Sequence, residues 1–267
     1  MLTSLDDGEI AKKKMIQKTG HQSIEAIFFD VNGTLRMREP HAPTQRAAVQ
    51  RMLALIGEKD AGDEFWDELN RRHNAYRDWA QANQLQLSEQ EIWTRWLLPD
   101  YSGERIGPAA AELTLAWSER KGRAVPRPGA EQALLALKSR GYHLGVISNS
   151  MSSLDVPRSL EAFGWNGYFE VVVLSSAVKI RKPAPEIFRA ATDAMAVEPA
   201  ACAYLGNRIS KDVVGCKRAG FALGIVLEPP GQPQADKGEQ TVAPDRVIHS
   251  LGELLDIFPP RDPGASR

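Results

Sequence analysis

Residues 24–34 read Ile-Glu-Ala-Ile-Phe-Phe-Asp-Val-Asn-Gly-Thr, and this stretch decides the fold. Segment 24–31 is rich in β-branched and aromatic side chains, which predicts a buried strand. The pair Asn32-Gly33 favours a turn and therefore ends that strand. The strand delivers Asp30 and the residues after it to one edge of the predicted sheet.

Four further apolar runs predict strands, and helical spacing lies between them. The predicted strands are 142–147, 169–174, 201–205 and 221–226, and the predicted helices are 129–139, 153–163, 185–195 and 211–219. Strands that alternate with helices imply right-handed crossovers, so we expect an α/β fold with a doubly wound parallel sheet. Such folds bind ligands beyond the carboxyl ends of their strands.

The stretch 40–122 differs in character, because it has no convincing strand and carries five of the six tryptophans. Helical spacing covers 44–56 and 64–82, and a capping box at 88–91 opens another helix. We expect an all-helical insertion whose tryptophans form its own core, with 122–129 as the return linker. The predicted organisation is an N-terminal arm (1–22), a core domain (23–39 and 123–258), a helical cap domain (40–122) and a flexible tail (259–267).

The composition of the 267 residues excludes several classes of protein. Hydrophobic residues make up 43% and charged residues 25%, which excludes a disordered or collagen-like chain. The net charge of -1 gives no electrostatic case for a nucleic-acid or membrane partner, and no apolar run approaches a membrane span. Segment 1–22 lacks the apolar stretch of a signal peptide. Two cysteines, Cys202 and Cys216, exclude a disulfide scaffold and fit a reducing cytoplasm.

Polar side chains follow the predicted strands at the points where the strands end. Because the carboxyl ends of parallel strands meet at one edge, we expect these side chains to converge. A carboxylate there can act as a nucleophile or bind a hard cation, and hydroxyl and ammonium groups can hold an oxyanion. The residues concerned are Asp30, Asn32, Thr34, Ser148, Asn149, Lys182, Asn207 and Asp212.

Four short motifs resemble those of the haloacid dehalogenase (HAD) superfamily, in the order that the family has them. They are Asp30-Val31-Asn32-Gly33-Thr34, Ser148, Lys182-Pro183, and Gly206-Asn207 with Asp212. The core resemblance covers 24–34 and 124–257, and the helical insertion resembles the C1-type cap that closes over the site in this family. The resemblance implies a Rossmann-like core and hydrolysis of a small anionic substrate, with a phosphate ester or anhydride as the first choice.

The resemblance also implies a role for each matched residue. Asp30 would be the nucleophile, and Lys182 would neutralise both the nucleophile and the transferring group. Thr34 and Ser148 would bind the oxyanion of the substrate, with Asn149 beside them at the substrate.

The implied cofactor is Mg²⁺, bound by Asp30, Asn32, Asn207 and Asp212. Two of these positions depart from the family pattern, since phosphatases usually carry Asp where Asn32 and Asn207 stand. An amide cannot protonate a leaving alkoxide, and losing general acid catalysis costs about 3–5 kcal/mol of barrier. We therefore expect acyl phosphates, aryl phosphates and halides to be favoured over alkyl phosphates, and Mg²⁺ to bind weakly.

Two alternatives remain open. A halide leaves without a proton, so a 2-haloacid dehalogenase-like hydrolase is one of them. The two asparagines also allow a catalytically degenerate binding protein with this fold. Arg36 and Arg38 follow the first motif, and we expect them to be solvated flap residues outside the catalytic set. The five histidines show no ligand spacing and are assigned no metal.

Overall fold

The computed structural model describes residues 24–231, 236 and 242–261. The described residues form eight strands: β1 (Ala26–Phe29), β2 (Arg36–Glu39), β3 (Arg123–Pro126), β4 (His143–Ser148), β5 (Val171–Leu174), β6 (Cys202–Gly206), β7 (Leu223–Leu227) and β8 (Arg246–Ile248). Six of them form one sheet in the order β5-β4-β1-β6-β7-β8, and every neighbouring pair is parallel. The chain leaves β1 toward β4 and later returns to β6 on its other side, which puts the topological switch point at β1.

Helices cover both faces of this sheet. They are α5 (Ala130–Ser139), α6 (Asp155–Ala162), α7 (Ser175–Val178), α8 (Pro185–Met195), α9 (Val214–Ala219) and α10 (Leu254–Ile257), after four helices that precede β3. Alternate residues of β1 enter different cores: Ile27 packs in one and Phe28 in the other, and both are fully buried. The doubly wound α/β fold is confirmed. Strand β8 was not predicted, because it has three residues and no apolar run.

The four remaining helices form what we call the helical unit, residues 42–119. They are α1 (Ala42–Ile56), α2 (Asp63–Asn83), α3 (Glu89–Glu91, continued by the π-helical segment Ile92–Leu97) and α4 (Gly103–Glu119). Trp93 and Trp117 are buried in its hydrophobic core, as the sequence predicts. The capping box forms as well, with Ser88 and Glu91 bonded to each other's backbone. Helix α4 was missed, because Pro108 lies inside it and normally argues against a helix.

Two connections join the helical unit to the sheet, and they pair with each other as an antiparallel ribbon. Strand β2 lies beside β3, with Arg36 opposite Pro126 and Glu39 opposite Arg123. The expectation that 122–129 is a plain linker is therefore wrong over β3. On another side of the unit, Gln86 N donates to the Lys179 carbonyl at 2.9 Å, which adds a second contact between the unit and the sheet domain.

The expectation that Arg36 and Arg38 are solvated is also wrong. Arg36 is only 1% exposed, and its guanidinium pairs with the carboxylate of Asp155 at the start of α6. Arg38 pairs with the other oxygen of the same carboxylate. The sequence could not reveal this network, because 117 to 119 residues separate its members along the chain.

The chain ends are described only in part. The predicted arm 1–22 and the tail residues 262–267 lie outside the described residues. Residues 259–261 are held against the core, where the Tyr142 hydroxyl donates to the Pro259 carbonyl at 2.8 Å and Arg261 N to the Arg140 carbonyl at 2.9 Å. Of the helices described, none combines the length and apolar character that a membrane span requires.

Replacing Asp155 by Asn should lower the free energy of unfolding by about 3–5 kcal/mol at pH 7, because Arg36 would keep a buried charge without its counter-charge. Burial raises the pKa of Asp155, but Arg36 and Arg38 outweigh it and hold that pKa below the ordinary 3.8. The ionised Asp155 carboxylate therefore contributes to the free energy of unfolding above about pH 4, and this contribution is lost as the pH falls through the lowered pKa. Urea unfolding at pH 7 and near pH 3 measures this, and the difference between the proteins should shrink at the lower pH.

The matched control is Glu112→Gln, which removes the carboxylate of the exposed pair Arg158–Glu112. Exposed pairs contribute about 0–1 kcal/mol, so this variant should unfold close to the parent protein. Equal stability losses in Asp155→Asn and Glu112→Gln would contradict the buried network.

Candidate active site

The carboxyl ends of the strands bring two carboxylates to one ammonium group. Lys182 Nζ lies 2.7 Å from Asp30 Oδ1 and 2.6 Å from Asp212 Oδ1. Asp30 directly follows β1, and Asp212 lies in a π-helical turn, Ile209–Val213, that follows β6. All three side chains are at most 8% exposed, so the two ion pairs are shielded from bulk water. The convergence expected from the sequence is present.

Two buried hydroxyls contact the same carboxylate of Asp30. Ser148 Oγ, at the end of β4, donates to Asp30 Oδ1 at 3.3 Å, and Thr34 Oγ1 donates to Oδ2 at 3.4 Å. Asn149 has another task, because its amide donates to the Lys182 carbonyl at 3.0 Å and accepts from Lys182 N at 2.8 Å. Asn149 lines the pocket, but both of its polar atoms fix the backbone that carries the lysine.

Burial and charge set the protonation of this group. Burial raises the pKa of Asp30, and the neighbouring Asp212 raises it further, while Lys182 only partly offsets the two. Burial lowers the pKa of Lys182, but Asp212 and Asp30 outweigh it and raise that pKa above its ordinary 10.5. Lys182 therefore stays an ammonium group at neutral pH, and Asp30 is a stronger base than an exposed aspartate.

Two functional residues were missed in the sequence. The Tyr204 hydroxyl, on β6, accepts from Lys182 Nζ at 2.7 Å and donates to the Ile147 carbonyl at 2.8 Å. Tyr204 therefore links the ammonium group to the backbone of β4. Arg127 holds the loop after Asp30, since its guanidinium donates to the carbonyls of Gly33 and Thr34. The apolar run 201–205, which predicts a buried strand, was a signal that Tyr204 is buried, whereas Arg127 lies in the stretch predicted as a linker.

The two asparagines occupy distinct positions. Asn32 Oδ1 accepts from Arg36 Nε at 3.0 Å and from Nη2 at 2.8 Å, so its amide is held by a cation and carries no acidic proton. The Asn207 side chain lies against the loop after β1, and a Cβ on Gly33 would fall 2.3 Å from its Nδ2 atom. Gly33 has φ +85°, and this backbone conformation is the reason why the position favours glycine.

The donor set fits Mg²⁺ as a site with few anionic ligands. Asp212 Oδ2 accepts from the backbone N–H groups of Asn207 and Arg208 at 3.1 and 3.0 Å, and its Oδ1 binds Lys182. Asp30 Oδ2 carries the single long bond from Thr34 among the described contacts. The described part of the chain has no cluster of three or more His, Cys, Asp or Glu side chains. Two carboxylates are enough for Mg²⁺ when substrate oxygens complete its shell.

The group lies in a pocket of about 710 Å³, within the range for small-molecule sites. The sheet domain contributes Asp30, Lys182 and Asp212, and the helical unit contributes His73 and Trp117 among others. Nine of the lining residues are Lys or Arg and three are Asp, so the pocket is strongly cationic although the whole chain is nearly neutral. Such a pocket favours anions.

His73 is neutral in this pocket. Burial and the nearby cations Lys121, Arg77, Arg120 and Arg181 lower its pKa to about 3. Its ring packs beside Trp117, with the ring centroids 5.1 Å apart. His73 therefore supplies no charge and no transferable proton between pH 5 and 8.

Asp30 should titrate above 3.8, because its buried carboxyl loses solvation and faces Asp212. As the pH falls, the ionised form of Asp30 should therefore disappear at a higher pH than that of an exposed aspartate. A ¹³C NMR titration of the aspartate side chains measures this, and Asp30→Asn identifies the resonance. Lys182→Met should raise the Asp30 pKa further by removing the compensating cation. A midpoint at or below 3.8 in the parent protein would contradict the balance described.

Comparison with known proteins agrees with this geometry. A family model described as haloacid dehalogenase-like hydrolase matches residues 24–220. A glyceraldehyde 3-phosphate phosphatase of Methanothermobacter thermautotrophicus is 31% identical, over 88% of this chain and 100% of the relative. A phosphoserine phosphatase of Thermus thermophilus is 34% identical, over 88% of this chain and 98% of the relative.

Solved structures share the fold. A 2-haloacid dehalogenase of Pseudomonas syringae superposes with a TM-score of 0.62 at 22% identity, covering 88% of this chain and 97% of that one. A HAD phosphatase of Thermococcus onnurineus superposes with a TM-score of 0.57 at 22% identity, covering 89% and 99%. The matched family model spans most of the chain and includes every residue of the Asp30–Lys182–Asp212 group. The chain therefore belongs to the haloacid dehalogenase-like hydrolases.

Proposed function

We propose that this hydrolase is of phosphatase type and acts on a small anionic substrate through Asp30 as nucleophile. One observation carries the proposal: the Lys182 ammonium group bridges Asp30 and Asp212 on the wall of a cationic pocket. The phosphatase names of two relatives that align over nearly their whole length support the phosphate ester as the first substrate class.

In the proposed reaction, an Asp30 oxygen attacks phosphorus and the bond from phosphorus to the leaving oxygen breaks, which leaves an aspartyl phosphate. Water then attacks this intermediate and releases phosphate and the free carboxylate. Lys182 offsets the negative charge of the transferring group, and the hydroxyls of Thr34 and Ser148, which contact the Asp30 carboxylate, would donate to the oxygens of that group. Asn149 and Tyr204 keep Lys182 in place during both steps.

Mg²⁺, when bound, would be held by Asp30, the Asn32 carbonyl, Asn207 and Asp212, and would supply positive charge at the transferring group. The cations of the pocket supply part of the same charge without it. Some phosphate-analogue binding should therefore persist in the presence of a chelator.

We further propose that the helical unit, within the predicted segment 40–122, acts as a cap. Its side chains His73, Tyr76, Arg77 and Trp117 line the same pocket as Asp30. Closure of such a unit over bound substrate would exclude water during the first step, so that the aspartyl intermediate forms in a dry site.

The test of the proposed function is a substrate panel, run with and without Mg²⁺. The panel contains p-nitrophenyl phosphate, acetyl phosphate, glyceraldehyde 3-phosphate, phosphoserine and 2-chloropropionate. We expect phosphate release that Asp30→Asn reduces by at least about 10³-fold, since the covalent route is lost. The control Asp193→Asn changes an exposed aspartate of α8 and should retain the parent rate.

Other outcomes of that panel exclude the proposal in distinct ways. Phosphate release that survives Asp30→Asn would refute the assigned nucleophile. Chloride release without phosphate release would favour the dehalogenase alternative. Binding of phosphate without any turnover would favour a degenerate member of the family.

The second test concerns the leaving group. Asn32→Asp should raise the single-turnover rate on an alkyl phosphate by at least about tenfold, because a carboxylic acid can protonate the leaving alkoxide. The gain should stay below the full ~10²–10⁴, because the Arg36 guanidinium that now donates to Asn32 would favour the ionised form of the new carboxyl group. The rate on p-nitrophenyl phosphate should change little, since that leaving group needs no proton.

Asn207→Asp is the matched control for this test, because it adds a carboxylate near the same loop but not at the second residue after the nucleophile. It should tighten Mg²⁺ binding, measured by calorimetry, and leave the ratio of aryl to alkyl rates as it is. An Asn32→Asp protein that is no faster than the parent on the alkyl phosphate would refute the missing-acid argument.

A further inference from the structure

Six cations of the pocket lie outside the Asp30–Lys182–Asp212 group and outside the Asp155 network. Arg127 holds the loop after Asp30, and Arg208 follows Asn207 in the turn after β6. The other four form one set. We call them the cation cluster: Arg77, Lys121, Arg181 and Lys211. Within the described residues, no carboxylate lies within 4.0 Å of any of their charged nitrogens. Arg36, Arg38 and Lys182, in contrast, each pair with a carboxylate.

The cluster is assembled from four separate parts of the fold. Arg77 lies on α2 and Lys121 directly after α4, so both come with the helical unit. Arg181 precedes Lys182 in its loop, and Lys211 lies in the turn before α9. A run of cations on one helix is usually a solvated face, but four elements that deliver cations to one pocket define a site.

The charges of the cluster act on one another. Partial burial, followed by Arg77 and Arg38, lowers the pKa of Lys121. Arg77 is thus close enough to act on Lys121. Burial lowers the pKa of Arg181 and Arg77 lowers it further, whereas Tyr76 raises it. Mutual repulsion of this kind costs stability, and a bound anion relieves it.

One member of the cluster is fixed in direction by a neutral partner. The Arg181 guanidinium donates to Gln86 Oε1 in the helical unit, and Gln86 Nε2 in turn donates to the Tyr76 hydroxyl at 2.7 Å. Gln86 is only 2% exposed. Arg181 therefore reaches the helical unit without losing its charge to a carboxylate, and it remains available to an anionic ligand.

We infer that the cation cluster binds a second anionic group of the substrate while the phosphate lies at Asp30 and Lys182. The inference rests on the proposed function and specifies its substrate class: phosphate monoesters that carry a further carboxylate or phosphate. The charges agree with this, because Lys182 is already matched by two carboxylates and the four cations of the cluster exceed the need of one phosphate.

The first experiment measures binding, without turnover, by calorimetry on the full chain. The probes are methylphosphonate, phosphonoacetate, 3-phosphonopropionate and methylenebisphosphonate, so that the second group is a carboxylate at two lengths or a phosphonate at one. At least one doubly anionic probe should bind roughly tenfold or more tightly than methylphosphonate, since hydrogen bonds between charged groups carry this much free energy. Equal affinity of all four probes would overturn the inference.

Variants identify the residues responsible. Arg77→Gln and Arg181→Gln should each remove most of the advantage of the doubly anionic probes over methylphosphonate. The control is Arg71→Gln, on the same helix α2, because Arg71 is 70% exposed and pairs with Glu68 away from the pocket. It should preserve the advantage. If the advantage survives in both cluster variants, or is lost equally in Arg71→Gln, the cluster is not the binding site.

The second experiment measures turnover and separates this inference from the proposed function. The pair 3-phosphooxypropionate and propyl phosphate differs by one carboxylate, and kcat/KM should favour the former by roughly tenfold or more. Equal values for the two esters would overturn the inference and leave the phosphatase intact. Absence of turnover with every phosphate ester, together with tight binding of the doubly anionic probes, would refute the proposed function and retain the second anion site.

Discussion

The buried ammonium group of Lys182 is the interaction on which the rest of the site depends. A buried cation without partners would be strongly unfavourable, so its position requires both carboxylates, which reach it from the ends of β1 and β6. Conversely, the positive charge of Lys182 allows the two buried carboxylates to lie close together, because it offsets their mutual repulsion. Asn149 accepts from the backbone N–H of Lys182, and the Tyr204 hydroxyl accepts from its ammonium group, so both residues fix the position of the lysine. The three strand ends are thereby held in one geometry before any substrate arrives.

Much of this geometry could be predicted from the sequence, because a parallel sheet converts sequence order into position. Asp30, Ser148, Lys182 and Asp212 each follow a recognisable strand, and parallel strands place their carboxyl ends together. The features that could not be predicted depend on contacts that no local sequence pattern encodes. The ribbon of β2 and β3 and the burial of Arg36 both require partners about a hundred residues away. Helix α4 forms despite Pro108 because the packing of the helical unit overrides a local signal.

The charge of the pocket could not be predicted from the sequence either. The net charge of -1 is correct for the whole chain and says nothing about the pocket, whose cations are drawn from positions between 36 and 211. Asparagine at positions 32 and 207 acts in the same direction, since each takes the place of a family carboxylate. The result is a pocket in which Lys and Arg side chains outnumber the carboxylates. The motifs identify the family, whereas the departures and the three-dimensional charge distribution distinguish this member from others.

The paired ribbon has a mechanical consequence. Both passages between the sheet domain and the helical unit run through β2 and β3, and they separate at Glu39 and Gly122, where a Cβ on the glycine would fall 2.1 Å from the Glu39 carbonyl oxygen. Because both crossings lie in one ribbon, the covalent connections constrain the helical unit at a single place. Elsewhere, Gln86 N donates to the Lys179 carbonyl and Arg181 N donates to the Gln84 carbonyl, so backbone hydrogen bonds also join the two parts. Any separation of the helical unit from the sheet domain would therefore break a backbone bond of Arg181, one residue before Lys182.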